Sequence, residues 1–281
     1  MKTKNGFTLI EKTSEIKTYL SKQKVTRKIT RLQVHHMDMP NYSTWEKTDK
    51  KVFSEPHFGR TESLDSYGKK TWGYSDGHGK YIAQHFNVFP DGKITTGRHL
   101  NSTPIGIKGW NTNAICIEIY GDFDKGKDTM TAAQKKAVIA LYGELCKKFK
   151  LTPSTSTIRP HCWFTAGGTY LGKYDSSRSA KTCPGTNFMG YGCSPSGFAK
   201  FIKLVKAYVD GEEEAPTFKR YIARCTVDEL NCRKGPSTSY DIEDQLKKGD
   251  VVTVIEEKDG WVKCLAGYWC SKKYLEFVRN V

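Results

Sequence analysis

Apolar and polar positions along this chain fall into two regimes that change over near residue 210. In the first, apolar strand-like runs alternate with helical patterns. Arg31 to His36 rises into an apolar strand, and runs 83–89 and 93–97 flank Pro90-Asp91-Gly92, a turn signature that predicts a hairpin. Ala114 to Tyr120 is apolar at nearly every position, as a strand buried on both faces requires. Thr131-x-x-Gln134 has the form of a capping box, and Ala137, Val138, Leu141, Leu145 and Phe149 follow at helical spacing. Ser194-Pro195, a cap and then a proline at the first helical position, opens a second helix through Phe198, Phe201, Ile202, Leu204 and Val205 toward Val209. Strands interleaved with helices predict an α/β domain with a central mixed sheet and flanking helices. The glycine-rich regions around His57 and His78 read as loop, and His57, His78 and His99 as surface histidines. Lysines spread through 11–31 and 46–51 read as solvated faces.

The second regime follows a polar stretch, Asp210-Gly211-Glu212-Glu213-Glu214-Ala215-Pro216, which has no hydrophobic period and reads as a linker. From about Tyr221 the pattern is short strands with no helical segment. The expected division is a domain over 1–210, a linker over 211–219 and a small all-β barrel over 220–281.

Composition fits this division. A length of 281 residues allows one to two domains, and 37% hydrophobic with 12% aromatic content is enough for ordinary cores. No apolar run reaches the roughly 18 residues of a membrane span, so no membrane insertion is expected. The N-terminus starts basic, but Phe7-Thr8-Leu9-Ile10 is too short for a secretory signal, which predicts synthesis in the cytoplasm and release by another route. Nine cysteines, an odd number without a close Cys-x-x-Cys pair, predict reduced thiols; Cys116, Cys146 and Cys162 read as small buried side chains.

Charge is unevenly placed. Residues 220–281 hold 11 Lys and Arg against 10 Asp and Glu, leaving +14 of the chain's +15 on residues 1–219. Such a field attracts polyanions. No nucleic-acid-binding fold or aromatic-basic motif is recognisable, which argues against nucleic acid. An anionic wall polymer and plain solvated charge remain as readings.

The candidate chemistry lies in three separated motifs: Val34-His35-His36, Pro160-His161 and Lys181-Thr182-Cys183-Pro184-Gly185. Two histidines and one cysteine make a three-ligand zinc site with an open fourth position, the arrangement of a hydrolytic zinc rather than a structural one. Ligands so far apart need a preformed domain to bring them together.

These motifs carry a resemblance. Val34-His35-His36-Met37-Asp38-Met39-Pro40 resembles the opening strand of the type 2 N-acetylmuramoyl-L-alanine amidases, zinc enzymes of phage, bacteria and the animal peptidoglycan-recognition proteins. Lys181-x-Cys183-Pro184-Gly185 resembles their closing motif, Ala83 to Lys93 their central hairpin, and Asn113 to Gly121 the strand after it. The resemblance spans roughly 30–190. It implies Zn2+ on His35, His161 and Cys183, His35 being the histidine five residues before the proline, with Lys181 assisting catalysis. Gln84 stands where many members have a tyrosine, and a carboxamide cannot carry a proton. Glu118 matches a position where other members have a catalytic glutamate, and a carboxylate in a buried strand is costly unless paired or functional; it is the expected base. His36, on the opposite strand face from His35, is expected to pack. The 22 positions from His161 to Cys183 suggest a loop bordering the groove.

Leu230-Asn231-Cys232-Arg233-Lys234-Gly235-Pro236-Ser237-Thr238-Ser239-Tyr240 resembles the signature of bacterial SH3-like domains, with Cys232 where valine is commoner. Together the two resemblances imply an endolysin: a zinc amidase that cuts between N-acetylmuramic acid and L-alanine in the peptidoglycan of a Gram-positive wall, joined to a wall-binding barrel. The alternatives are a peptidoglycan-recognition protein without catalysis and a zinc endopeptidase of the stem peptide.

Overall fold

The computed structural model describes residues 1–211, 220–258 and 260–281, so the expected linker over 211–219 lies, apart from Gly211, outside the described residues. The chain divides into two compact units, Met1–Glu213 and Glu214–Val281.

The first unit opens with an unforeseen hairpin, β1 (Lys2–Lys4) and β2 (Phe7–Ile10). Asn5 and Gly6 turn it with φ of 48° and 76°, the left-handed pair that matches the twist of a two-residue hairpin. Helix α1 (Ser14–Ser21) leads to β3 (Arg31–His36). A broken helical stretch follows, with α2 (Tyr42–Thr44), a π turn (Trp45–Asp49) and α3 (Lys50–Val52), and then α4 (Pro56–Thr71). The remaining elements are β4 (Phe86–Val88), β5 (Ile94–Thr96), β6 (Ala114–Ile119), α5 (Ala132–Phe149), β7 (Ile158–Pro160) and α6 (Pro195–Asp210).

These strands form a mixed seven-stranded sheet in the order β1-β2-β5-β4-β6-β3-β7. β3 is parallel to both β6 and β7, and β4 is parallel to β6, whereas β1, β2 and β5 pair antiparallel. Central strands covered on both faces explain the unbroken apolar run of β6. Helices α5 and α6 join the main core through Leu141, Tyr142 and Leu145 against Phe198, Phe201 and Val205, and the rings of Tyr142 and Phe201 meet edge-to-face at 5.3 Å. Each such buried side chain contributes roughly 1.5–3 kcal/mol relative to exposure.

Two expectations need correction. His57 lies in α4, not in a loop, and is buried with Nε2 3.0 Å from Asp91 Oδ2. The glycines that suggested loop serve close packing: a Cβ on Gly59 would come within 2.3 Å of the Phe53 ring, and one on Gly68 within 2.3 Å of the Tyr81 carbonyl oxygen. The capping box at α5 is only half formed. Thr131 Oγ1 accepts from the Gln134 N–H at 3.0 Å, but the Gln134 side chain is fully buried and donates to the Val88 and Tyr120 carbonyls, both at 2.9 Å. Satisfying two buried strand-end acceptors outweighs closing the box.

The second unit is an antiparallel sheet of β8 (Tyr221–Cys225), β9 (Glu229–Arg233), β10 (Ile242–Lys247), β11 (Val251–Lys258), β12 (Trp261–Cys264), β13 (Trp269–Ser271) and β14 (Leu275–Asn280), in the order β10-β9-β13-β12-β11-β8-β14. One 3-10 turn, Lys272–Tyr274, interrupts the all-strand pattern. Cys232 is fully buried in its core with Ala223, Val254 and Val262. Arg233 Nη1 donates to the Thr238 and Tyr240 carbonyls at 3.1 and 2.7 Å, and a Cβ on Gly235 would meet the Tyr240 ring at 2.6 Å. The Arg-Lys-Gly-Pro-Ser-Thr-Ser-Tyr segment is therefore a loop folded back on its own arginine. No helix among the described residues is long and apolar enough to cross a membrane, and all nine cysteines are free and buried.

Candidate active site

His35 lies at the carboxyl end of β3, His161 begins the turn after β7, and Cys183 lies on the return of the following loop. Parallel pairing of β3 with β7 brings the two histidines to one sheet edge. Nδ1 of His161 is 3.3 Å and Sγ of Cys183 is 3.6 Å from His35 Nδ1, and one donor atom from each of the three residues lies within 4.8 Å of the others. Among the described residues this is the one group of His, Cys, Asp and Glu donors close enough to share a metal ion.

His36 does not join them. Its Nδ1 accepts from the Phe123 N–H at 3.0 Å on the other face of the strand, as alternation predicts. Its backbone N–H points at Cys183 Sγ from 3.3 Å, a donor suited to a thiolate.

Glu118 stands beside His35 in the β3–β6 register, with Oε1 3.8 Å from His35 Nδ1. Burial pushes its carboxyl up to about 8, against the pull of Lys181. Lys181 is exposed at the same cavity and has no ion-pair partner among the described residues. Burial first, then the charges of His161 and Lys181, hold His35 well below the usual imidazole range, and burial with Lys181 lowers His161 to about 4. Both rings are therefore held neutral, the state a metal ligand needs. Burial and Glu118 raise the Cys183 thiol, so its ionisation calls for a nearby cation. Two neutral imidazoles and one soft sulfur facing a cavity suit zinc with an open position.

The cavity, about 450 Å³, has these residues as its floor. Its rim carries the exposed side chains of Met39, Tyr67 and Trp72, the latter two edge-to-face at 5.6 Å. Gln84 lines one wall, buried, its amide donating to Asn87 Oδ1. The segment leading to it is held by Asp76, whose carboxylate accepts from the N–H groups of His78, Lys80 and His99 at 2.7–2.9 Å. Of the loop from His161 to Cys183, only its two ends and Lys181 line the cavity; Gly168, in its middle, packs instead against Lys108.

Sequence reasoning missed Gln33. It is fully buried two residues before His35 on the same strand face, with Oε1 3.3 Å from His35 Nε2. A polar side chain at even spacing from a candidate ligand in an otherwise apolar strand was the available signal.

Residues 25–186 match the N-acetylmuramoyl-L-alanine amidase family. The chain belongs to that family. Residues 228–276 match the bacterial SH3 domain, the fold of the second unit. Among solved structures, similarity is found to the N-acetylmuramoyl-L-alanine amidase LysC from Clostridium intestinale, at 21% identity over 66% of this chain and 87% of that one, with a TM-score of 0.40. The endolysin amidase LysCS from the same organism matches at 23% identity over 57% and 78%, TM-score 0.35, and Drosophila PGRP-LB at 16% over 58% and 78%, TM-score 0.40. No curated protein matches the chain significantly.

Proposed function

We propose that this chain is an endolysin-type zinc hydrolase that cleaves the amide between the lactyl group of N-acetylmuramic acid and L-alanine in Gram-positive peptidoglycan, with the SH3 unit as its wall anchor. The observation that carries this reading is the convergence of His35, His161 and Cys183 beside Glu118 on the floor of one cavity. His35 Nδ1, His161 Nδ1 and Cys183 Sγ would hold the metal. When bound, zinc supplies a Lewis acid for the scissile carbonyl and makes water more acidic.

The chain's own groups do the rest. Glu118 Oε1, ionised beside the charges of Lys181 and the metal, takes the proton from the attacking water and returns it to the leaving nitrogen as the C–N bond breaks, so the products are a lactyl carboxylic acid and a free L-alanine amine. Lys181 Nζ faces the oxygen on which negative charge develops, an interaction stronger in the transition state than in the bound substrate. Gln84, where many family members place a tyrosine, can only hydrogen-bond, which leaves Glu118 as the proton carrier in the cavity.

Mass analysis of fragments released from purified wall tests this assignment. New L-alanine amino termini with intact stems support it. New termini within the stem would indicate an endopeptidase, and no soluble fragments a recogniser without catalysis.

A further inference from the structure

We infer that Gln33 is a positioning residue that fixes the tautomer of His35, so that Nδ1 presents a bare lone pair to the cavity. This rests on the zinc reading above only for its consequence, not for its geometry.

The Gln33 carboxamide cannot turn over. Its Nε2 donates to the Trp110 carbonyl and to Asn111 Oδ1, each at 3.0 Å, while its Oε1 accepts from the Ile107 N–H at 3.3 Å. A carbonyl on one side and an amide N–H on the other settle which end is oxygen. Asn111 is itself oriented, because its Oδ1 also accepts from the Gly106 N–H at 3.0 Å. The Gln33 backbone is held as well, its carbonyl accepting from Tyr142 Oη at 2.8 Å.

The atom that faces His35 Nε2 at 3.3 Å is thus an acceptor with no hydrogen to give. A buried imidazole nitrogen opposite an acceptor must carry its proton, or two lone pairs meet out of water. With the proton on Nε2, Nδ1 is unprotonated, and Nδ1 is the atom 3.3 Å from His161 Nδ1 and 3.6 Å from Cys183 Sγ. Gly106 is part of the device, since a Cβ there would lie 2.0 Å from Gln33 Oε1. A ligand ring locked in the correct tautomer loses less freedom on binding, and removing such a partner typically weakens metal affinity about 10–100-fold.

The test uses the full chain labelled with 15N-histidine. In the metal-free wild type, long-range proton–nitrogen spectra should show His35 protonated at Nε2; protonation at Nδ1 would overturn the inference. Zinc affinity, measured by competition with a chromogenic chelator, should fall about 10–100-fold in Gln33→Leu and in Gly106→Ala. Wild-type affinity together with an unchanged tautomer in both disruptive variants would also overturn it. If Gln33→Leu does not fold, the wild-type tautomer and Gly106→Ala decide. A wild type that takes up no zinc yet shows His35 protonated at Nε2 would refute the metal reading and leave this inference standing.

Discussion

His35 and Glu118 face each other across the parallel β3–β6 pair, with Nδ1 of one 3.8 Å from Oε1 of the other. A single register thus places a candidate metal donor and a candidate proton carrier side by side on two buried strands, where neither can drift.

Glu118→Gln should lower amidase turnover by about a hundred- to ten-thousand-fold, because the amide keeps the shape and loses the proton. Zinc content and thermal stability should stay at or above wild type, since the variant no longer buries an ionisable carboxyl. Turnover on purified wall, with elemental analysis alongside, checks this. Wild-type lysis would place the base elsewhere.

The wild type should bind one zinc per chain, while Cys183→Ser and His161→Ala should bind it far more weakly. Chelation should abolish activity and added zinc restore it. Full retention of zinc in both variants would dissolve the ligand set.

Lys181→Met should reduce kcat on the order of a hundredfold with a smaller change in KM, the pattern of a contact made only as charge develops. A pure rise in KM would instead make Lys181 a substrate-binding residue.

Asp76→Asn should loosen the segment that ends at the Gln84 wall. Burial alone would raise the Asp76 carboxyl, but N–H donors from His99, Lys80 and His78, aided by Arg98, hold it below the usual aspartate range. A lowered folded-state pKa gives stability that is present above the unfolded value of about 3.9 and lost as pH falls through the folded one. The Tm difference between wild type and variant should therefore be full at pH 7 and shrink below about pH 4. A pH-independent difference would show that the charge is not what holds the segment.

A chain ending at residue 219 should fold by itself and remain an amidase with weaker wall attachment, since each unit has its own core. With +14 on residues 1–219, its residual binding to wall should weaken as salt rises, whereas the isolated near-neutral SH3 unit should be less salt-sensitive. Wall pull-downs across a salt series measure both. An SH3 unit that binds no Gram-positive wall would be a spacer.

Much of this architecture was legible because its signals are local. Strands β3 and β6 and helix α6 with its Ser194 cap follow from periodicity and capping, while the three donor motifs were picked out by their resemblance to the amidase family. What escaped depends on partners distant in sequence. Gly59 and Gly68 look like turn residues until Phe53 and Tyr81 are seen to need the room. Gln134 completes a local capping pattern yet spends its side chain on carbonyls 46 and 14 positions away. Gln33 was silent for the same reason, as its role depends on backbone groups 74 and 77 positions further on. The Asn5-Gly6 hairpin was readable and simply short.

The three donors also impose an order on how this protein comes into being. His161 and Cys183 reach His35 across separations of 126 and 148 residues. Closing such long loops costs entropy that only a finished sheet repays, so contacts of this kind form late. A nascent chain, or a fragment cut anywhere between β3 and Cys183, can hold helices and hairpins and still be chemically inert. Any chemistry of this site would then appear in one step, when synthesis and folding of the first unit are complete.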